Sequence, residues 1–190
     1  NCRGVVRAED LRVTETGSVF KLCIDQQDEV PVELSVSGKH MVNNALLAAA
    51  TGHALGMKSP EIAAGLSQAQ LTGGRLQKYV SGGVSVIDDT YNANPDSVIA
   101  AIDTLVELPT HNGARRLVVL GAMAELGVHS DAEHRRVGKV AAEKNLTVVS
   151  VGDGARKIYE GAIEVSDDVH QFDDAESAAL WIKDFCKEGD

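Results

Sequence analysis

The sequence predicts an α/β fold, a mainly parallel sheet flanked by helices. Three observations carry that reading. From residue 76 onward, short apolar runs alternate with amphipathic helical stretches, the pattern of right-handed βαβ units. Before that point, three short strand-like runs are followed by two helices, so a strand-rich piece precedes the α/β part. Between the two stands Thr72-Gly73-Gly74-Arg75, a breaker cluster that marks a domain boundary, giving domains 1–75 and 76–190.

The early strands are Val5–Ala8, Val19–Ile24 and Val30–Val36, separated by polar turns such as Thr16-Gly17-Ser18. The third alternates apolar and polar side chains, and Pro31 suits an edge or a strand start. A helix follows from about His40, with Val42, Ala45, Leu46 and Ala49 at helical spacing and Gly56 as terminator. Its alanine-rich face permits a close approach to a neighbour. Ser59 is the expected N-cap of a second helix, with Pro60 at the first helical position.

In the α/β part, strands are expected at 76–80, 84–88, 116–120, 147–151 and 169–172, and helices at 95–108, 131–144, 155–162 and 174–186. Val98, Ile99, Ile102, Leu105 and Val106 form the apolar stripe of the first of these helices. Ala175, Ala178, Ala179, Ile182 and Phe185 form that of the last, and Cys186 shares its face as small core filler.

Composition narrows the function. With 190 residues, 44% hydrophobic and 24% charged, the chain can bury a core of normal size. No window approaches the roughly 18 apolar residues of a membrane span, and no signal-peptide pattern is seen. A net charge of -10 argues against a nucleic-acid surface. Cys2, Cys23 and Cys186 are odd in number and lack a C-x-x-C pair, which fits a reducing cytosol. Residue 1 is Asn rather than Met, so the chain reads as a piece of a longer protein.

The densest chemistry lies in Asp88-Asp89-Thr90-Tyr91-Asn92-Ala93-Asn94-Pro95. An apolar strand delivers two acids, a phenol and two amides into a loop, and in open α/β sheets ligands bind just past strand ends. Asn94 as N-cap, Pro95 at N1 and Asp96 and Ser97 in the first turn account for the end of the segment as helix capping. They do not account for Asp88 to Asn92. Gly121-Ala122-Met123-Ala124-Glu125-Leu126-Gly127 also follows a strand and is expected on the same sheet edge as Asp89, or else to be a plain connection. Ser130-x-x-Glu133 reads as a capping box. His129 and His134, with Glu125 and Asp131, match no zinc spacing and read as solvated helix-start residues. Gly152-Asp153-Gly154 reads as a turn. There is no Walker A motif, nucleophile elbow or Ser/His/Asp arrangement, so the chain itself offers no catalytic or metal-ligating set.

Taken in order, Gly38-Lys39-His40-Met41-Val42-Asn43-Asn44-Ala45, Gly74-Arg75-Leu76, Asp88 to Pro95 and Leu120 to Gly127 resemble the Mur ligases. The Tyr91–Pro95 string and the Met123–Gly127 loop are most similar to the member that joins D-alanyl-D-alanine to UDP-N-acetylmuramoyl-tripeptide. The resemblance is clear from about residue 35 to 155. It implies that residues 1–75 are the C-terminal part of a central ATP-binding domain. Residues 76–190 would then be most of a Rossmann-like C-terminal ligase domain, stopping before a last strand and a Lys-Gly-Ser motif. The chemistry implied is ATP-dependent amide-bond formation through an acyl phosphate. It would serve peptidoglycan precursor synthesis, and with it cell shape and division, in the bacterial cytoplasm. ATP and Mg2+ are the implied cofactors, the metal being held mainly by a central-domain part outside this chain. The enzyme would be a monomer that binds neither nucleic acid nor membrane.

The same resemblance assigns residues. Asn44 matches the second asparagine of the family's His-Asn-x-x-Asn motif, near adenine, while Met41 replaces the first. Arg75 matches an arginine that reaches ATP from the hinge, and Asp89 an aspartate at the nucleotide, at the ribose. Tyr91 and Asn92 belong to the same nucleotide-facing loop. Asn94, Met123 and Glu125 are weaker candidates for substrate contact. Ala122 stands where the family commonly has an acid. Two other readings share these residues: a stand-alone nucleotide-binding module without turnover, and a related Mur or folylpolyglutamate-type ligase with another acceptor.

Overall fold

The computed structural model describes residues 5–14, 17–25, 28–69, 73–109 and 113–190. Cys2, Thr16 and Thr72 lie outside them. The chain forms two compact units, Asn1–Leu76 with Glu107–Pro109, and Gln77–Val106 with Thr110–Asp190.

In the first unit, β1 (Val6–Val13), β2 (Ser18–Ile24) and β3 (Asp28–Leu34) form an antiparallel meander in that order. The β1 ladder shifts between Glu9 and Arg12, where Asp10 adopts a φ of 55°, so this strand runs longer than expected. Pro31 lies opposite Lys21 on the edge strand, where its missing N–H costs no ladder bond. Phe20, Leu22, Ile24, Val32 and Leu34 point to one face. Val42, Ala45 and Ala49 of α1 (Lys39–Ala54) and Ile62 and Ala63 of α2 (Ser59–Ser67) cover that face. The alanine-rich face of α1 is thus the buried one. At its end, Gly56 and Met57 donate their N–H groups to His53 and Gly52 at 2.9 and 3.0 Å, closing the helix as a Schellman turn. The start of α2 differs from expectation. Extended Lys58 precedes the helix, its N–H bonded to the Glu61 carboxylate at 2.9 Å, so Ser59 is the first helical residue rather than the cap.

In the second unit, β4 (Gln77–Ser81) and β5 (Val84–Asp88) make an antiparallel hairpin. The parallel sheet is separate and has the order β6 (Leu117–Leu120), β7 (Thr147–Val151), β8 (Val169–Phe172). The α/β class holds, but the sheet-wide parallel pairing expected for the first two strands does not. Only Gly82-Gly83 separates them, and both have positive φ (58° and 80°). That is the backbone of a tight hairpin turn, and two residues cannot carry a parallel crossover. Asp89 therefore leaves a hairpin rather than the parallel sheet that carries the 121–127 loop.

Helices α3 (Pro95–Glu107), α4 (Ser130–Glu143), α5 (Arg156–Ala162) and α6 (Ala175–Phe185) complete the unit. The core joins Ile102 of α3, Val137, Ala141 and Ala142 of α4, Val148 of β7, Ile158 and Ala162 of α5 and Val169 of β8, with Met123 and Leu146 from loops. Val98, Ile99, Leu105 and Val106 pack against it, as the α3 stripe predicts. Helices α4 and α5 meet backbone to backbone. A Cβ on Gly138 would sit 1.9 Å from the Ile158 oxygen, and one on Gly161 would sit 2.1 Å from the Arg135 oxygen. Helix α6 is shallower than its stripe predicts. Ala178 is buried, Leu180 is exposed, and Trp181 stacks on Phe185 at 4.4 Å. Cys186 falls just past the helix in extended conformation and is half-buried, not core filler, whereas Cys23 is buried.

Candidate functional site

The loop after β5 begins by folding on itself. Asp88 accepts the Thr90 N–H at 3.0 Å and the Thr90 hydroxyl at 2.7 Å, so the first of the two acids is used in a local turn. Asp89 is half-buried, and Tyr91 and Asn92 are exposed. Asn92 Oδ1 accepts the Ala93 N–H at 2.9 Å. Asn94 caps α3 as expected: its Oδ1 accepts the Ser97 N–H at 3.0 Å, and the Ser97 hydroxyl accepts the Asn94 N–H at 3.1 Å.

The carboxyl ends of the parallel strands collect further loops. Gly121 and Ala122 leave β6, and Gly152 leaves β7 into a single 3-10 turn, Asp153–Ala155. These loops touch, since a Cβ on Gly154 would lie 2.8 Å from the Ala122 Cβ. The Gly152 N–H donates to the Phe172 carbonyl oxygen at 2.8 Å, which ties the end of β8 to the same edge.

In the loop 121–127, Met123 is 5% exposed and belongs to the core. Its side chain therefore faces inward, and what this position offers a ligand is backbone. Glu125 is exposed and holds a φ of 63°. Gly127–His129 form a 3-10 turn that runs straight into α4. Because no extended residue separates turn from helix, the expected Ser130–Glu133 capping box does not form. Ser130 is helical, and Glu133 instead accepts from Arg136 Nε at 2.8 Å.

His134 is the largest departure from expectation. It is 2% exposed, not solvated. Its Nε2 accepts the Met123 N–H at 2.8 Å, and its Nδ1 lies 2.8 Å from the Ser130 carbonyl oxygen, which it can only meet as a donor. The ring is the neutral Nδ1–H tautomer by these bonds. A single turn of α4 thus tethers two segments. His134 holds the one after β6, and Arg136 reaches Asp96 in the first turn of α3 at 3.0 Å. Hydrogen bonds donated to Asp96 and then to Glu133 raise the Arg136 guanidinium above its ordinary range. Neither residue is a candidate on sequence grounds. The available signal is that His134, Val137, Gly138, Ala141 and Ala142 share one helical face.

Asn44 and Arg75 belong to the first unit, both exposed. Asn44 Nδ2 lies 3.9 Å from Met41 Sδ, a weak contact one turn apart. The other six candidates belong to the second unit. Among the described residues, Glu9, Cys23 and Glu29 are within metal-ligand reach of one another. Glu9 is bonded to Arg7 at 2.7 Å and Lys21 is 3.7 Å from Glu29, so cations already balance these acids. Burial pushes the Cys23 thiol up, against giving a thiolate ligand. The set does not fit Mg2+, a hard ion that takes oxygen ligands. No described helix is long and apolar enough to cross a membrane.

Residues 74–190 match the family model of the Mur ligase glutamate ligase domain. The chain belongs to the Mur ligase family. Relatives of this Mur ligase chain include the UDP-N-acetylmuramoyl-tripeptide--D-alanyl-D-alanine ligases of Mycobacterium bovis and Haemophilus influenzae. The first is 40% identical over 142 residues, covering 71% of this chain and 28% of the relative. The second is 39% identical over 155 residues, covering 80% and 33%. The chain thus spans about a third of the length of these curated relatives. A crystal structure of MurF from Acinetobacter baumannii superposes with a TM-score of 0.83 at 33% identity, covering 96% of this chain and 38% of that one. The MurF ligase of Thermotoga maritima, solved in complex with ADP, shares the fold at a TM-score of 0.80 and 24% identity, covering 99% of this chain and 42% of that one.

Proposed function

We propose that this chain is the C-terminal portion of an ATP-dependent ligase that joins D-alanyl-D-alanine to UDP-N-acetylmuramoyl-tripeptide. The observation that carries the reading is 40% identity over 142 residues to a ligase of that name. Residues 1–75 are read as the end of the central ATP-binding domain and 76–190 as the C-terminal ligase domain. The terminal carboxylate of the tripeptide attacks the γ-phosphorus of ATP, and ADP leaves. The amine of the dipeptide then attacks the acyl carbon of the acyl phosphate, and phosphate leaves with the proton lost from nitrogen. Such steps depend on positioning and on charge placed where it develops.

Within this scheme Asn44 faces adenine, Arg75 supplies positive charge to ATP, and Asp89 fixes the ribose. Tyr91 and Asn92 line the same nucleotide-facing loop. Asn94 and Glu125 flank the substrate side, with Met123 contributing backbone. The enzyme works as a cytoplasmic monomer in peptidoglycan synthesis. Mg2+ would be held mainly by the part of the central domain outside this chain, and would supply positive charge to the transferring phosphoryl group.

The test is kinetic. In the full-length enzyme, Asp89→Ala is expected to lose most ligation while keeping the wild-type melting temperature. Near-normal kinetics would remove the role given to Asp89. The 190-residue chain alone is expected to release no phosphate with ATP, nucleotide tripeptide and dipeptide, since it carries no phosphate-cradling loop.

A further inference from the structure

The loop after β6 is pinned one residue before its exposed stretch. The Met123 side chain is 5% exposed in the core, and its N–H is bonded to His134 Nε2 at 2.8 Å. Ala122, next to it, abuts the turn after β7, within 2.8 Å of where a Gly154 Cβ would stand. Directly after these anchors come exposed Ala124 and Glu125, the latter with a φ of 63° that L side chains rarely adopt. Glu125 presents a carboxylate, the group that pairs with the ammonium of a zwitterionic peptide. Buried His134 is in turn locked by its Nδ1, 2.8 Å from the Ser130 carbonyl one helical turn earlier.

We propose that His134 is a positioning residue for the acceptor dipeptide, holding the 121–127 loop so that Glu125 is presented in a single geometry. It does not touch substrate and acts through the Met123 amide. The role presupposes the ligase reading above, and it makes binding of the acceptor, rather than of ATP, the property that His134 controls.

The full-length enzyme carrying His134→Leu loses the acceptor atom while keeping an apolar filler, and His134→Gln restores a side-chain oxygen of similar reach. Steady-state phosphate release is measured well below the melting temperature, varying D-alanyl-D-alanine and ATP separately. The expected result is a KM for the dipeptide raised about tenfold in His134→Leu, an ATP KM within about twofold of wild type, and partial recovery in His134→Gln; displacements of a positioning loop have effects of that order or larger. Equal rises in both KM values, or an unchanged dipeptide KM in an active enzyme, would overturn the inference alone. A wild-type enzyme inactive with all three substrates would overturn the ligase reading and the inference together. Should both variants fail to fold, the wild-type Met123 amide resonance decides. It is expected to shift on saturation with D-alanyl-D-alanine, and a resonance that stays in place overturns the role.

Discussion

His134 Nε2 accepts the backbone N–H of Met123 at 2.8 Å, in an environment that leaves the imidazole only 2% exposed. A buried amide deprived of that acceptor pays its full desolvation cost. His134→Ala also opens a cavity beside Val137. Together these should destabilise the second unit by about 2–4 kcal/mol. Urea denaturation at neutral pH measures this directly, and a loss under about 0.5 kcal/mol would mean that the contact is dispensable.

Arg115 and Asp190 give a pH-dependent contribution. Burial pushes the Asp190 carboxyl up, but hydrogen bonds from the Arg115 side chain and from the Arg115 and Lys187 backbone N–H groups outweigh it. They hold the carboxyl at about 2, below its usual 3.8. A depressed carboxylate adds stability above its unfolded value and loses it as pH falls through the folded one. Asp190→Asn should therefore cost about 2 kcal/mol at pH 7, and the difference from wild type should shrink between roughly pH 4 and pH 2. A gap independent of pH across that window would disprove the ion pair's part in it.

The α4–α5 crossing sets a sharp contrast among helical glycines. Gly138→Ala and Gly161→Ala place a methyl group against backbone oxygens of the facing helix. Overpacking there should cost about 3 kcal/mol or more, well above the roughly 1 kcal/mol that alanine gains in a helix. Gly65 in α2 meets nothing within 4 Å, so Gly65→Ala should stabilise its helix by about 0.5–1 kcal/mol. Thermal melts of the three variants order them, and a stabilised Gly138→Ala would contradict the packing.

Asn94 is both a cap and a candidate ligand contact, and two substitutions separate the roles. Asn94→Ala should cost about 1 kcal/mol in folding, whereas Asn94→Asp keeps an acceptor for the Ser97 N–H and should stay within a few tenths. Reduced ligation by the full-length Asn94→Asp enzyme at unchanged stability would then report on the ligand alone.

Where periodicity or capping chemistry is local, the sequence was readable. Val84–Asp88, Thr147–Val151 and Val169–Phe172 lie where alternation and apolar runs put them, and the Asn94-Pro95 start of α3 follows from cap preferences. What escaped depends on partners distant in sequence or on continuity of the backbone. The antiparallel β4–β5 pairing departs from the mainly parallel sheet that strand–helix alternation suggests, although Gly82-Gly83 carries the hairpin signal. Ser130 looks like a cap only if the chain before it is extended, and a 3-10 turn there removes the cap. Met123 and His134 each looked polar-facing in a string of loop and helix-start residues. Both are buried, and the hydrogen bond that joins them links residues eleven apart, a relation that no short window contains.

Strand β6 consists of Leu117, Val118, Val119 and Leu120, and among the described residues it has β7 as its ladder partner on one side only. Val119 is 47% exposed. A short apolar edge with open N–H and C=O groups is a template onto which another chain's strand can add. The isolated chain is therefore expected to self-associate as its concentration rises. A lysine in place of Val119, on the open face of that edge, is the direct way to keep it monodisperse without touching the loops at the strand ends.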